Sequence, residues 1–369
     1  MSLVTFLGIY FVRKAGIDVG TVGVAFLVES LLRGMAAPMF GALSDRVGRR
    51  ALLVAAALAT AVVLPSFLLV SGAASLFAWS MAMGVAGAIN MPVATALLLD
   101  LAPPERRQST LAANYTAMSV AYTLGVMPAG YVAEQSYLVL AFIASAGYVL
   151  VALLYALVLR SPPAAPRTDT GVLRATVSAF RDRAFVLFAA LAFVFPLSMG
   201  LVVAASPIYA AEAGLGEGYI GLVLGGNSII VALLALPVAA RLEPVGPFRP
   251  LGAAALLVAG GIACYALVPG AAAGYLAGTI VFSFGELVFS SAVPAAVARL
   301  APPGRRGAYQ GGWTLVASFS MGSALFLSGL LRDAIGWRAG WLVFAALIGC
   351  AALLLFSRRD RFLERPRER

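Results

Sequence analysis

The sequence predicts an all-α membrane protein built as two six-helix halves that repeat one plan, and three observations carry that prediction. The chain is far too apolar for a water-soluble domain: 62% of its 369 residues are hydrophobic and 11% are charged, against about 45–50% and about 25% in ordinary globular chains. Its apolar runs reach the length needed to cross a hydrocarbon core of about 30 Å as helix. Landmarks of the first half recur in the second at one constant offset.

Taken in order, the apolar runs place spanning helices at 21–42, 51–71, 74–101, 109–132, 136–159, 184–212, 217–240, 250–269, 272–300, 307–331 and 337–357. The opening run, MSLVTFLGIYFV (Met1 to Val12), covers only about 18 Å at about 1.5 Å per residue, half a bilayer. Its basic pair Arg13-Lys14 follows the apolar stretch instead of preceding it, the reverse of a secretory signal. It is therefore read as what remains of a first helix whose earlier half is missing, as a gene start assigned too late would produce. The one long polar break, SPPAAPRTDTGVLRATVSAFRDR, divides the chain. The expected organisation is an N-terminal bundle (1–160), a linker (161–183), a C-terminal bundle (184–357) and a basic tail (358–369). Part of the linker, from Thr170 to Arg183, is amphipathic enough to lie on the membrane surface near anionic headgroups; a flexible tether fits equally well.

The net charge of +10 is not a nucleic-acid patch, because the basic residues segregate by loop. Of the 26 Lys and Arg, 21 fall in alternate loops, the linker and the tail, whereas Arg13, Lys14, Arg332 and Arg338 lie in the others. The positive-inside rule makes the rich side cytoplasmic. The protein is accordingly placed in the inner, cytoplasmic membrane of a cell as a multi-pass protein, with linker and C-terminus inside. Histidine is absent, so imidazole relays and His metal sites are excluded, and the two cysteines, Cys264 and Cys350, sit in apolar runs with no metal or disulfide spacing. No nucleophile triad and no phosphate-cradling loop is present. No enzyme activity, cofactor or metal is expected.

The repeat is explicit. Asp100-Leu-Ala-Pro-Pro-Glu-Arg-Arg107 returns as Arg299-Leu-Ala-Pro-Pro-Gly-Arg-Arg306, 199 positions on, and Pro38 maps onto Pro237 at the same offset. Parallel repeats of this size describe a transporter architecture that binds substrate between its halves near the midplane. Just after Pro38 stands the polar knot GALSDRVGRR, residues 41–50. It resembles the loop between the second and third helices of the Major Facilitator Superfamily, roughly G-x-L-x-D-R-x-G-R-[RK], matched by Gly41, Leu43, Asp45, Arg46, Gly48, Arg49 and Arg50. ARLEPVG (240–246) stands where that family carries a degenerate second copy. The resemblance spans the whole chain and implies that superfamily's fold, with two pseudo-symmetric six-helix bundles.

In that family the loop is taken to latch the halves together on the cytoplasmic side while the cavity opens outward. Exposed ion pairs, worth about 0–1 kcal/mol each, suit a latch that must break and reform. Gly41 is expected to end its helix and pack closely, Gly48 to let the turn bend, and Asp45 to accept charge-assisted hydrogen bonds. Anchoring of helix ends alone is the plainer role for Arg49 and Arg50.

Charges within apolar runs are costly, about 2.5–3.5 kcal/mol for an unpaired one at the centre, and need a partner or a wet cavity. Glu29 and Arg33 stand four apart and can pair with each other; otherwise Arg33 offers positive charge to an anionic group. Asp100, at a helix end, is expected to bond loop Arg or backbone groups. Glu286, in FSFGELVFSSAVP, has no basic residue within four positions and is the candidate for proton coupling, the alternative being a Glu held by hydrogen bonds from Ser or Tyr of a neighbouring helix. The stretch from Thr279 to Gly311 also looks like the tenth helix and following loop of drug-efflux-like members of the superfamily. LGVMPAGY (124–131) keeps Gly125, Pro128 and Gly130 of the antiporter motif only in shifted form.

Asn90, Asn114, Tyr115, Tyr122, Asn227, Gln310 and Trp313, with Phe193, Phe195 and Met199, are candidates to line a central cavity. Many apolar and few polar groups suit a bulky lipophilic substrate better than a sugar. The expected function is secondary transport: export of small lipophilic compounds in exchange for protons, by a monomer whose partners are that substrate, protons and the lipid bilayer. A metabolite or organic-anion carrier, with Arg33 binding the anion, and a non-transporting membrane sensor are the alternatives.

Overall fold

The computed structural model describes residues 2–103, 107–159, 176–302 and 305–363. Within its helices the side chains of some residues, Asp45, Arg46 and Tyr115 among them, lie outside the described set. Helix α1 runs Ser2–Ile9 and continues through a wider turn at Tyr10–Lys14. It is followed by α2 (Val19–Val47), α3 (Arg49–Val63, tightening at Leu64–Leu69), α4 (Ala73–Leu101), α5 (Arg107–Gln135) and α6 (Tyr137–Val158). The second half begins with α7, a segmented rod of Arg183–Ala192, Val194–Gly200, Leu201–Ala205 and Ser206–Glu212. Helices α8 (Glu217–Leu242), α9 (Arg249–Leu267) and α10 (Ala271–Leu300) follow. The last helical stretch, Arg306–Leu363, is divided by Gly336 into α11 (306–335) and α12 (337–363). Among the described residues nine helices, the last of them this bent pair, are long and apolar enough to cross a membrane.

Local chemistry sets several boundaries. Asp18 caps α2 by accepting from the Thr21 amide at 3.1 Å, Ser136 caps α6, and Asp182 accepts from the Ala184 amide at 2.9 Å to start α7. Each satisfies an amide that the helix itself leaves unpaired. One sequence expectation is corrected here: α2 does not end at Gly41 but continues to Val47. Nothing in Ala-Leu-Ser-Asp-Arg-Val breaks a helix. The break comes at Gly48, whose φ of 94° and ψ of 132° only glycine adopts cheaply. Gly336 (φ 78°, ψ 164°) plays the same part between α11 and α12. Gly336→Ala is expected to destabilise the protein by about 1–3 kcal/mol, read as a lower unfolding temperature in detergent.

Alternating helices put the C-terminal ends of α2, α4, α8 and α10 on one face, called here the basic face, and the 15–18, 135–136, 213–216 and 268–270 turns on the opposite face. The halves meet along α2 with α11 and α5 with α8. Close approach depends on glycine: a Cβ on Gly329 would lie 2.7 Å from the Gly20 backbone, one on Gly221 would lie 2.8 Å from the Val126 carbonyl, and Gly23 abuts the Phe326 backbone. Van der Waals packing between small residues is what holds such helices together where water provides no driving force. These contacts run from the opposite face towards mid-membrane: 20–34 of α2 against 315–329 of α11, and 126–134 of α5 against 216–225 of α8.

Candidate functional site

The site grows from α10. Spacings of four and three put Thr279, Ser283 and Glu286 on one face of that helix, and all three are buried, Glu286 with 7% of its surface exposed. Helix α8 brings Asn227 against them: its side-chain amide donates to Glu286 Oε2 at 3.0 Å and to Ser283 Oγ at 2.8 Å. Thr279 hydrogen-bonds the Tyr265 hydroxyl of α9 at 3.1 Å. From the first half, the Tyr122 hydroxyl of α5 bonds Thr5 of α1 at 3.2 Å and lies near enough to Glu286 to feel its charge. A turn further along α10, Phe289 stacks on Phe195 of α7 with ring centroids 4.9 Å apart. A carboxyl is thus held inside the second half by one amide, on a helix face that also carries two hydroxyls, with Tyr122 of the first half within reach of its charge. A group so placed can exist with or without its proton, and each form has a hydrogen-bond role with Asn227.

The first half contains the other intramembrane charges. Glu29, 5% exposed, is ion-paired with Arg33 of the same helix. The Arg33 guanidinium lies against Gly87 of α4, where a Cβ would come within 3.0 Å of its Nε. Removing Arg33 leaves a buried carboxylate uncompensated, so Arg33→Met is expected to cost about 2.5–3.5 kcal/mol. The double change Arg33→Met with Glu29→Leu should recover most of that loss, checked by thermal unfolding of all four combinations.

At the basic face, Arg49 Nη1 pairs with Asp100 Oδ2 of α4 at 2.8 Å, and Arg50 donates to the Ala156 carbonyl of α6. Both of these partners belong to the first half, and each Arg makes further contacts as well. Among the cavity candidates, Asn227 bonds Glu286, Tyr122 lies within reach of its charge, and Phe195 stacks on Phe289 one turn along α10. Asn114 bonds Met118 Sδ one turn on at 3.7 Å, Asn90 is half-buried on α4, and Gln310 donates to the Pro294 carbonyl at 3.0 Å. Phe193 packs on Phe319, centroids 6.1 Å apart, Trp313 packs on Phe188, centroids 6.3 Å apart, and Met199 is half-buried. Thr5 and Ser283 were not singled out by sequence. Ser283 was available from its position one turn before Glu286; Thr5 carried no local signal.

Repeated six-helix halves, in a chain crossing the membrane many times with a carboxyl buried among its helices, define a carrier of small molecules and not an enzyme. The Major Facilitator Superfamily model matches residues 1–285 and again 188–369. The chain belongs to the Major Facilitator Superfamily and is a secondary transporter. It is 22% identical over 381 aligned positions to YqjV, an uncharacterized MFS-type transporter of Bacillus subtilis (strain 168), covering 99% of this chain and 92% of that one. It is 31% identical over 127 positions to a Na(+), Li(+), K(+)/H(+) antiporter of Planococcus maritimus, a match that covers 32% of this chain and 29% of the relative. The crystal structure of the nucleoside transporter NupG superposes with a TM-score of 0.78 at 14% identity, over 99% of this chain and 95% of that one.

Proposed function

We propose that this transporter exports small lipophilic compounds in exchange for protons, with Glu286 as the proton-carrying group. It works as a monomer in the cytoplasmic membrane, its basic face inside. The observation that supports the reading is the Glu286 carboxyl itself, buried within a membrane helix and bonded by a neutral amide. A structural carboxylate in such a place would be matched by a cation, because an uncompensated charge is expensive; among the described residues Glu286 has no ion-pair partner. The aromatic surface of Phe195 and Phe289 beside it suits an apolar substrate. An organic-anion carrier would need Arg33 available to its substrate, and Arg33 is engaged by Glu29.

On this reading the contacts between the halves on the opposite face seal the outer side, and the central site is reached from the cytoplasm. When the inner gate shuts, the 41–50 knot is the latch. The test is the purified protein in vesicles with an imposed pH gradient, using ethidium and an uncharged lipophilic dye as probes, and fluorescein as an anionic one. Dye movement against its gradient, driven by protons moving the other way, is the expected result. Flux of fluorescein alone would favour the anion carrier, and binding of dye without any movement would favour a sensor.

A further inference from the structure

We propose that Glu134 is the outer latch of this transporter, a positioning residue that closes the outer face by capping a helix of the opposite half. The inference rests on the alternating-access reading above. Helix α8 starts at Glu217 behind Gly216, a residue with no side chain, and no side chain of its own segment caps it. Helices α2, α6 and α7 each have a cap from their own sequence, Asp18, Ser136 and Asp182. The missing cap comes from α5. Glu134 Oε2 accepts from the Gly218 amide at 3.0 Å, and Oε1 sits over Gly216, where a Cβ would be only 2.6 Å away. The glycines at 216 and 218 are what admit the carboxylate.

Beside this contact the Tyr137 hydroxyl of α6 reaches both the Phe6 carbonyl, at 3.4 Å, and Glu217 Oε1, at 3.5 Å. Beneath it Gly130 and Gly221 bring the two helices together. An anion at a helix N-terminus is favoured by the unpaired amides and the helix dipole together. Here the anion and the helix lie in different halves, so that favourable term exists only while α5 and α8 touch. When the outer face opens, Glu134 and the α8 amides are given back to water. The cap therefore weights the equilibrium towards the outward-closed state without touching substrate or proton.

Nitroxides at Leu138→Cys and Ala213→Cys, both exposed on the outer face and in different halves, report the opening when Cys264 and Cys350 are replaced by Ser. Electron–electron distance measurement in lipid nanodiscs then gives the ratio of open to closed molecules. Glu134→Ala is expected to raise that ratio roughly five- to tenfold, the usual worth of a lost cap; Glu134→Gln, which keeps an acceptor oxygen, should raise it less. Glu212→Gln is the control, since Glu212 bonds Arg332 and Trp337 inside the second half, and it should leave the ratio unchanged. An unshifted ratio in Glu134→Ala, or an equal shift in Glu212→Gln, would overturn the latch. A single distance in the parent protein under every condition would instead remove the rocking motion on which the latch depends. Should Glu134→Ala fail to fold, Glu134→Gln alone decides: no shift at all rejects the proposal.

Discussion

Glu286→Gln is expected to abolish proton-driven dye accumulation while dye-for-dye exchange continues. The substitution keeps size and hydrogen-bonding capacity, so the contact with Asn227 survives in form, but the group no longer takes up or gives away a proton. In a one-proton exchange, a gradient of one pH unit corresponds to about 1.4 kcal/mol and sustains a substrate ratio of about tenfold. The direction is fixed by mass balance: acid outside drives protons in and substrate out. In the Gln variant the steady-state ratio should fall to about one at every imposed gradient. Retention of the tenfold ratio would remove Glu286 from coupling. Asn227→Ala should weaken coupling without erasing it, because Ser283 and Glu286 both lose a donor yet the carboxyl remains.

The second large effect is expected at the contact between α2 and α11. Gly23 lies against the backbone of Phe326 and Gly329 against that of Gly20, so a side chain at 23 has no space while the outer ends are together. Gly23→Leu should therefore fold, since its helix tolerates leucine, but hold the outer face open and reduce transport to background. Overpacking of this kind costs about 1–3 kcal/mol where the contact must form. By a factor of ten per 1.4 kcal/mol, that lowers the closed-to-open ratio by roughly five- to 140-fold. Wild-type transport rates in Gly23→Leu would show that the two helices need not meet so closely in the cycle. The same distance pair that tests Glu134 would register this variant as outward-open, which separates a trapped molecule from an unfolded one.

Much of this molecule was readable from the order of its residues. A span must be apolar over a length set by the bilayer, so the helix positions follow from hydrophobic runs; the boundaries differ from those runs mainly where polar residues extend a helix beyond the membrane, as at the end of α2. Gly48 marked its own turn, because a positive φ needs glycine. Glu29 and Arg33 announced a pair by their spacing, since i and i+4 share a helix face. Asp100 could be expected to meet an Arg of the basic face, although which one was open until Arg49 was seen beside it.

Other features depend on residues far apart in the chain. Asn227 and Glu286 are 59 positions apart, and each alone is an ordinary polar residue in an apolar helix; only the packing of α8 against α10 makes them one site. Thr5 and Tyr122 are separated by 117 positions and meet because α1 leans on α5. Glu134 reads in sequence as a charge at the end of a helix, and Gly216 as a loop residue. Their relation exists because two halves approach through glycines whose partners no local pattern names. Sequence by itself determined that the chain is a membrane protein of repeated helices and which ionisable groups it carries into the membrane, since the cost of burying polar groups acts residue by residue. The tertiary structure alone decided which of those groups face each other and which contacts join the halves, since packing between distant segments depends on shape.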